Sequence, residues 1–341
     1  MRRHTCARGD CELILTRPDP RLRPGVVGYC SYRLTGDGPR QRIFAPGGAV
    51  SLFIGLDGEM SAGHTGPDAP VSLRRASAFY GPHLHPKLLG HRGTAEGVEI
   101  SVLPWVARLL FDAPLGELAD AVVEADAVLG RCLPSLAEDL RTAPGPRARF
   151  DVLDRHLLRW TASADAARAP SPTVLHAWDL ITRSAGTLTV RDIAARTRWS
   201  SRLLELRFRE QIGLSPKRLA RALRMERAIG LLATGRSQTD TAHAAGFSDQ
   251  PHLSREFRTL TGLPPGRFLN HLAPGCAWPT VAQDSTSSFA FVQDPAGAPR
   301  QDSDHGGTPH PANAHQHQHQ HQHQHPYPYP YPYVSIERNP R

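Results

Sequence analysis

The apolar positions of the first hundred residues come in short runs. Arg42–Phe44, Ala49–Ile54, Val71–Phe79 and Val98–Leu103 are β-branched or alternate in polarity, and turn residues such as Gly47-Gly48 and Asp57-Gly58 bound them. A period of two with that punctuation predicts strands. From Pro104 the period changes: Phe150, Leu153, Leu157 and Trp160 recur at spacings of three and four, which puts them on one helix face. Ala162–Thr173 is rich in small residues, carries Pro170 and Pro172, and predicts a linker. Residues 273–341 contain the alternating tract His315–His325 and the Pro-Tyr tract Pro326–Tyr333. Such a composition cannot build a core and predicts a disordered tail.

Between linker and tail the chain repeats itself. Phe208-Arg209 leads to Gly213-Leu214-Ser215-Pro216, and forty-nine residues later Phe257-Arg258 leads to Gly262-Leu263-Pro264-Pro265. Leu204 and Leu253 match at that offset, whereas Ala194 and Ala242 match at forty-eight, so the two turns differ by one residue. Each copy predicts two helices around a turn. In the first, Thr189 caps a short helix with Asp192 at the capping-box position, Trp199 plugs the turn, and Ser200 caps a helix over about Ser201–Gln211 that Gly213 stops. In the second, Ser237 caps, Gly246 turns, Phe247 plugs, Asp249 caps and Gly262 stops; Pro251 is tolerated because it falls in a first helical turn. A long helix joins the copies from Ser215-Pro216 to Gly235, with an apolar stripe of Ala222, Met225, Ile229 and Leu232. Its remaining surface is made basic by Lys217, Arg218, Arg221, Arg224 and Arg227.

Charge sharpens this picture. The net +8 of the 341 residues lies wholly in residues 171–272, which hold sixteen Lys or Arg against eight Asp or Glu; the rest sum to zero. A neutral body with one basic helical module points to a polyanion partner. Five cysteines, Cys6, Cys11, Cys30, Cys132 and Cys276, form no C-x-x-C pair and are read as reduced thiols. Met1-Arg2-Arg3 is followed by no apolar stretch, and no run of about 18 apolar residues occurs, so neither a signal peptide nor a membrane span is expected and the location expected is cytoplasmic.

The repeat resembles the DNA-binding domain of the bacterial AraC/XylS transcription regulators. Ser200 to Pro216 carries the likeness, and so, most specifically, does Gly246-Phe247-Ser248-Asp249-Gln250-Pro251-His252-Leu253-Ser254-Arg255-Glu256-Phe257-Arg258 with Gly262 and Pro265. The resemblance implies a multidomain α+β chain. Residues 1–165 would be a strand-rich regulatory, effector or dimerisation domain with a helical continuation, a looser likeness carried by strand order, Gly81-Pro82 and Leu103-Pro104. Residues 166–172 would be the linker, and 173–272 an all-α domain of two helix-turn-helix units joined by a long helix. A disordered tail would occupy 273–341.

The family's base-reading positions fall on Arg202, Glu205 and Leu206 in the first copy and on Gln250, Pro251, Ser254 and Arg255 in the second. Arg suits guanine, Gln suits adenine and Glu accepts from cytosine. Ser200, Lys217, Arg224 and Arg258 are the candidates for phosphate contact. Three positions depart from the family's pattern. Leu206 stands where a polar residue is usual and suits a thymine methyl, Pro251 replaces a residue able to contact DNA, and Arg198 occupies a turn position where glycine is common. The implied partners are double-stranded DNA, RNA polymerase, a small-molecule effector of unknown site and a second copy of the chain, with no membrane, no cofactor and no catalysis.

Other chemistry is sparse. His83-Leu84-His85 with His91 suggests a metal set through strand alternation, but no acidic ligand follows at cupin spacing, so surface or structural histidines are expected. No Gly-x-Ser-x-Gly, phosphate loop or His-Glu-x-x-His occurs. Cys6 and Cys11 alone cannot supply the four-ligand zinc site of a DNA-repair methyl acceptor. The alternative kept open is a metal-binding or enzymatic N-terminal half targeted to DNA by the basic module.

Overall fold

Alternation sets the first sheet. Cys11, Leu13 and Leu15 are buried while Glu12, Ile14 and Thr16 stand half-exposed, so β2 (Cys11–Thr16) turns one face inward. The computed structural model describes residues 1–5, 11–23, 25–36, 39–44, 47–64, 73–74, 77–85, 87–271 and 292–293. The tail expected over 273–341 therefore lies, apart from 292–293, outside the described residues.

Strand β2 is joined by β1 (Arg2–Thr5), β3 (Val26–Leu34), β4 (Pro39–Phe44), β5 (Val50–Asp57), β6 (Met60–His64), β7 (Leu73–Arg74), β8 (Ser77–Tyr80), β9 (Lys87–Arg92), β10 (Ala95–Val102), β11 (Val122–Glu124) and β12 (Val292–Gln293). They build an antiparallel seven-stranded sheet in the order β1-β2-β3-β10-β5-β8-β11 and a five-stranded one in the order β12-β4-β9-β6-β7. The expected strands fall on β4, β5, β7 with β8, and β10; residues 71–72 and 75–76 of the third are outside the described residues.

The large sheet is buried on both faces. Cys30, Tyr32, Phe53 and Tyr80 pack with Met60 and Leu89 of the smaller sheet. On the other face Val50, Leu52, Ile54, Val98, Ile100 and Val102 meet helices. Central strands covered on both sides read as continuous apolar runs, which is why β5 and β10 are legible in sequence and the half-covered strands less so.

Five helices follow: α1 (Pro104–Phe111), α2 (Leu115–Leu118), α3 (Ala125–Leu129), α4 (Cys132–Thr142) and α5 (Pro146–Ala162). The expected face of α5 is only partly inward: Phe150, Leu153 and Leu157 are buried, and half-exposed Trp160 meets Phe111 edge-on at 5.6 Å. The C-terminal helices are α6 (Pro172–Arg183), α7 (Val190–Thr197), α8 (Ser201–Ile212), α9 (Pro216–Ala233), α10 (Gln238–Ala244), α11 (Gln250–Thr261) and α12 (Pro265–His271). Among the described residues no helix is long and apolar enough to cross a membrane.

The core does not stop at the expected linker. Sheet residues, α1 to α5, and Trp178, Ile193, Ala194, Leu204, Phe208 and Ile212 belong to one apolar cluster. Trp178 meets Trp105 edge-on at 5.0 Å and stacks on Phe208 at 6.4 Å. Cys11 corrects the reduced-thiol reading: it is disulfide-bonded, while Cys30 and Cys132 take part in no disulfide.

Candidate nucleic-acid interface

Two helix pairs, α7 with α8 and α10 with α11, follow one local recipe. Thr189, Ser200, Ser237 and Asp249 each accept, through the side chain, the backbone N–H three residues on, at 3.2, 3.2, 3.1 and 2.6 Å. Each cap satisfies a donor that the first helical turn leaves unpaired. The turns also match: Trp199 N–H donates to Ala194 O at 3.1 Å, and Phe247 N–H to Ala242 O at 2.9 Å, an offset of forty-eight at both ends. The helix ends match at forty-nine, with Gly213 N–H on Arg209 O and Gly262 N–H on Arg258 O, both at 2.9 Å. The extra residue is Ser248, which stands between the plug Phe247 and the cap Asp249, where the first copy passes directly from Trp199 to Ser200.

Arg198 is the counterpart of Gly246, and both are left-handed, at φ 57° and 79°. A side chain there is disfavoured by contact between Cβ and the backbone, which explains why the position suits glycine.

Helix α9 locks the two pairs together. Leu219, Ala220 and Leu223 join the first core, whereas Ala222, Met225, Ala228, Ile229 and Leu232 join a second one with Phe247, Leu253, Phe257 and Phe268. Arg221 forks onto Glu256 of α11 at 3.1 and 3.3 Å. Arg224 donates to Gly186 O at 2.7 Å and lies 5.8 Å from the centre of the Phe247 ring. Gly186 has φ 75°, and an added Cβ would stand 2.3 Å from Ala220 O, so only glycine lets that loop reach α9. Arg224 thus pins a loop before the first pair to the plug of the second. This half-buried guanidinium, expected from sequence at a phosphate, has a hydrogen-bond partner inside the protein.

The remaining sequence candidates are distributed as follows. Ser200, Arg202, Glu205, Leu206, Lys217, Pro251, Arg255 and Arg258 are exposed, and Gln250 and Ser254 half-exposed. Gln250 donates to Ser254 Oγ at 2.9 Å and to Gln238 Oε1 at 3.2 Å, so three polar side chains are prealigned on one side of the second pair. Glu205 pairs with Arg209 at 3.4 Å. The outward sides of α8 and α11 therefore carry both candidate sets, Arg202, Glu205 and Leu206 on one and Gln250, Pro251, Ser254 and Arg255 on the other.

The histidines suggested as a metal set go separate ways. His83 Nδ1 is 3.0 Å from Gly81 O, His91 Nδ1 is 3.1 Å from Gly93 O, and His85 Nδ1 is 3.4 Å from Asp120. Among the described residues no group of three or more His, Cys, Asp or Glu is placed to hold a metal ion.

The family model for a helix-turn-helix domain matches residues 175–271, which spans both pairs and α9. An AraC-like transcription regulator of Streptomyces lividans is 31% identical over 129 residues, 35% of this chain and 41% of the relative. Residues 175–271 form a helix-turn-helix domain. The chain spans about two fifths of the length of that curated relative. Among solved structures, ToxT of Vibrio cholerae is 14% identical at a TM-score of 0.43, covering 71% of this chain and 97% of its own. A probable AraC family transcriptional regulator from Rhodopseudomonas palustris is 28% identical at a TM-score of 0.27, covering 30% of this chain and 100% of its own.

The joint between the helix-turn-helix domain and the N-terminal half is what the sequence did not disclose. Asp120, between α2 and β11, accepts Leu84 N–H at 2.7 Å and His85 N–H at 3.2 Å and pairs with Arg218 in the first turn of α9. Its own carbonyl accepts from the Lys87 ammonium. Burial raises the Asp120 pKa, but the two backbone donors and Arg218 outweigh it and hold the carboxyl below its ordinary value. Burial pulls Lys87 down to about 8 against the opposing charge of Asp120. Leu84 meanwhile fills the second core beside Ala222 and Met225. No motif announces this cluster, because Asp120 and Arg218 lie 98 residues apart.

Proposed function

We propose that the protein is a sequence-specific DNA-binding transcription regulator. In this reading each helix pair is a helix-turn-helix unit, α8 and α11 enter successive major-groove segments of one duplex, and α9 fixes their separation. The observation that carries it is the matched build of the two pairs: the same caps, turns and stops, with candidate contact residues on the outward sides of both second helices. Arg255 pairs with a guanine edge, Gln250 with adenine, and Arg202 with a base or backbone of the first half-site. Ser200, Lys217 and Arg258 meet phosphates. No catalytic step is assigned.

Residues 1–165 act as the regulatory domain, 166–172 as the link and 173–272 as the reader. An effector of unassigned chemistry, or pairing with a second copy, shifts the balance between DNA-competent and incompetent arrangements, which requires different affinities for the two. RNA polymerase is the downstream partner.

The test is selection of duplexes from a random pool at physiological salt, followed by Arg255→Ala. The variant should lose discrimination at one base pair, at a cost of about 1–3 kcal/mol. Equal losses on selected and random duplexes would remove Arg255 from base reading, and failure to enrich any sequence would remove the function.

A further inference from the structure

On the outward side of α8 the charges largely pair with one another. Glu205 pairs with Arg209 at 3.4 Å, and Arg207 with Glu210 at 3.0 Å. Among them stand Leu203 and Leu206, which are 37% and 62% exposed. Met1 is the only other large exposed hydrophobic residue among the described ones, so the apolar exposure of the folded body is concentrated at this spot. Residues three apart on a helix are neighbours, and the two leucines form one strip.

Leu206 is the counterpart of Arg255 at the forty-nine-residue offset. A leucine there has no donor or acceptor to offer a base edge. What the major groove presents to such a side chain is the C5 methyl of thymine. The surroundings favour a polyanion over an apolar protein surface. Residues 189–212 hold six arginines against three acids, and Arg191, Arg196, Arg198 and Arg202 are all exposed. Arg202 lies one turn before Leu206 and has no ion-pair partner among the described residues.

We infer that the first helix pair recognises thymine by apolar contact, with Leu206 and the adjoining Leu203 packing against thymine methyl groups while the surrounding arginines supply the attraction to the backbone. The two half-sites are then read by different chemistry, methyl contact in the first and hydrogen bonding through Arg255 and Gln250 in the second. The inference rests on the DNA-binding reading above.

The test uses the full chain and a duplex it selects from a random pool, resynthesised with deoxyuridine in place of thymidine one half at a time. That exchange deletes the methyl and keeps every Watson–Crick hydrogen bond. Wild-type protein should bind the substituted half-site more weakly by roughly fourfold per contacted methyl, the ratio to which about 0.8 kcal/mol per buried carbon corresponds. Leu206→Ala and Leu203→Ala should weaken binding to the thymidine duplex and bring the thymidine-to-deoxyuridine ratio close to one. Both side chains are exposed, so an unchanged melting temperature will show that the variants fold. Equal affinity of the wild type for both duplexes overturns the inference and leaves DNA binding standing. So does a Leu206→Ala variant that keeps the wild-type ratio. If Leu206→Ala loses transcriptional output with unaltered DNA affinity, the strip contacts a protein and the inference also falls. Absence of any selected duplex would remove the DNA-binding reading itself, and this inference with it.

Discussion

Replacing Arg224 by methionine separates two roles for a basic residue on the linker helix. Methionine keeps an apolar stem against Phe247 but deletes the guanidinium that donates to Gly186 O at 2.7 Å and lies 5.8 Å from the Phe247 ring centre. A hydrogen bond from a charged donor contributes about 1.5–3 kcal/mol, and a partly buried cation–π contact roughly 0.5–2 kcal/mol. The substitution should therefore cost about 2–3 kcal/mol of stability. For a folded unit of more than 150 residues each kcal/mol moves the melting temperature by roughly 2–4 °C, so a drop of about 5–10 °C is expected. DNA affinity should fall by a similar factor at every salt concentration, because the two pairs are held less firmly and no phosphate contact is lost. A phosphate contact would behave otherwise, removing about 0.9 from the slope of log affinity against log salt. Thermal melting together with fluorescence anisotropy over a salt series reads both quantities. A flattened salt slope with an unaltered melting temperature would refute the pinning role.

Arg198→Gly removes the left-handed penalty at φ 57° and should raise the melting temperature by the equivalent of about 1 kcal/mol; a decrease would show that the Arg198 side chain compensates its backbone. Glu99 lies within the sandwich, where burial pushes its carboxyl up to about 8 against a weaker pull from the Ser51 hydroxyl. A raised folded value contributes stability below the ordinary carboxylate range that is lost as pH rises towards 8, so the advantage of Glu99→Gln over wild type should grow by roughly 1.4 kcal/mol per pH unit between about 5 and 8. A pH-independent difference would contradict the buried acid. At the joint, Asp120→Asn and Arg218→Met in a double-mutant cycle should show a coupling of about 0.5–3 kcal/mol at neutral pH. Because Asp120 is held below its usual value, that coupling persists above the ordinary carboxylate range and vanishes as pH falls through the lowered one; additive effects at pH 7 would dissolve the joint.

How much of this was legible in sequence depended on how local the physics was. Caps and stops are decided within four residues, so Thr189, Ser200, Ser215, Ser237, Asp249, Gly213 and Gly262 announced themselves and the structure uses each as read. Arg198 was visible as a misfit because the resembled family commonly has glycine at that turn position. Contacts such as Arg221 with Glu256, Arg224 with Gly186 and Asp120 with Arg218 have no spacing rule, since they depend on how helices cross after collapse. Arg224 shows the hazard: on an amphipathic helix rich in arginine, the outward and inward charges look alike. Helix α9 is covered along much of its length, and three of its five basic residues, Arg218, Arg221 and Arg224, make internal ties.

The asymmetry between the two pairs constrains how regulation can work. Residues of α7 and α8 share a core with the sheet and with α1 to α5, whereas α10 and α11 pack around a separate core. Helix α9, at eighteen residues roughly 27 Å long, belongs to both, with Leu219 and Leu223 in one and Met225, Ile229 and Leu232 in the other. Rotating α9 about its axis would strip apolar side chains from both cores at once, and such burial is the largest favourable term available. A regulatory change costs least where polar ties and a few side chains carry the load. The Asp120–Arg218 pair with Leu84 is such a place. A ligand that favours an arrangement with this pair broken must also leave water or new partners for Asp120 Oδ2 and the Arg218 guanidinium. The response would then be a step between two discrete states rather than a graded shift.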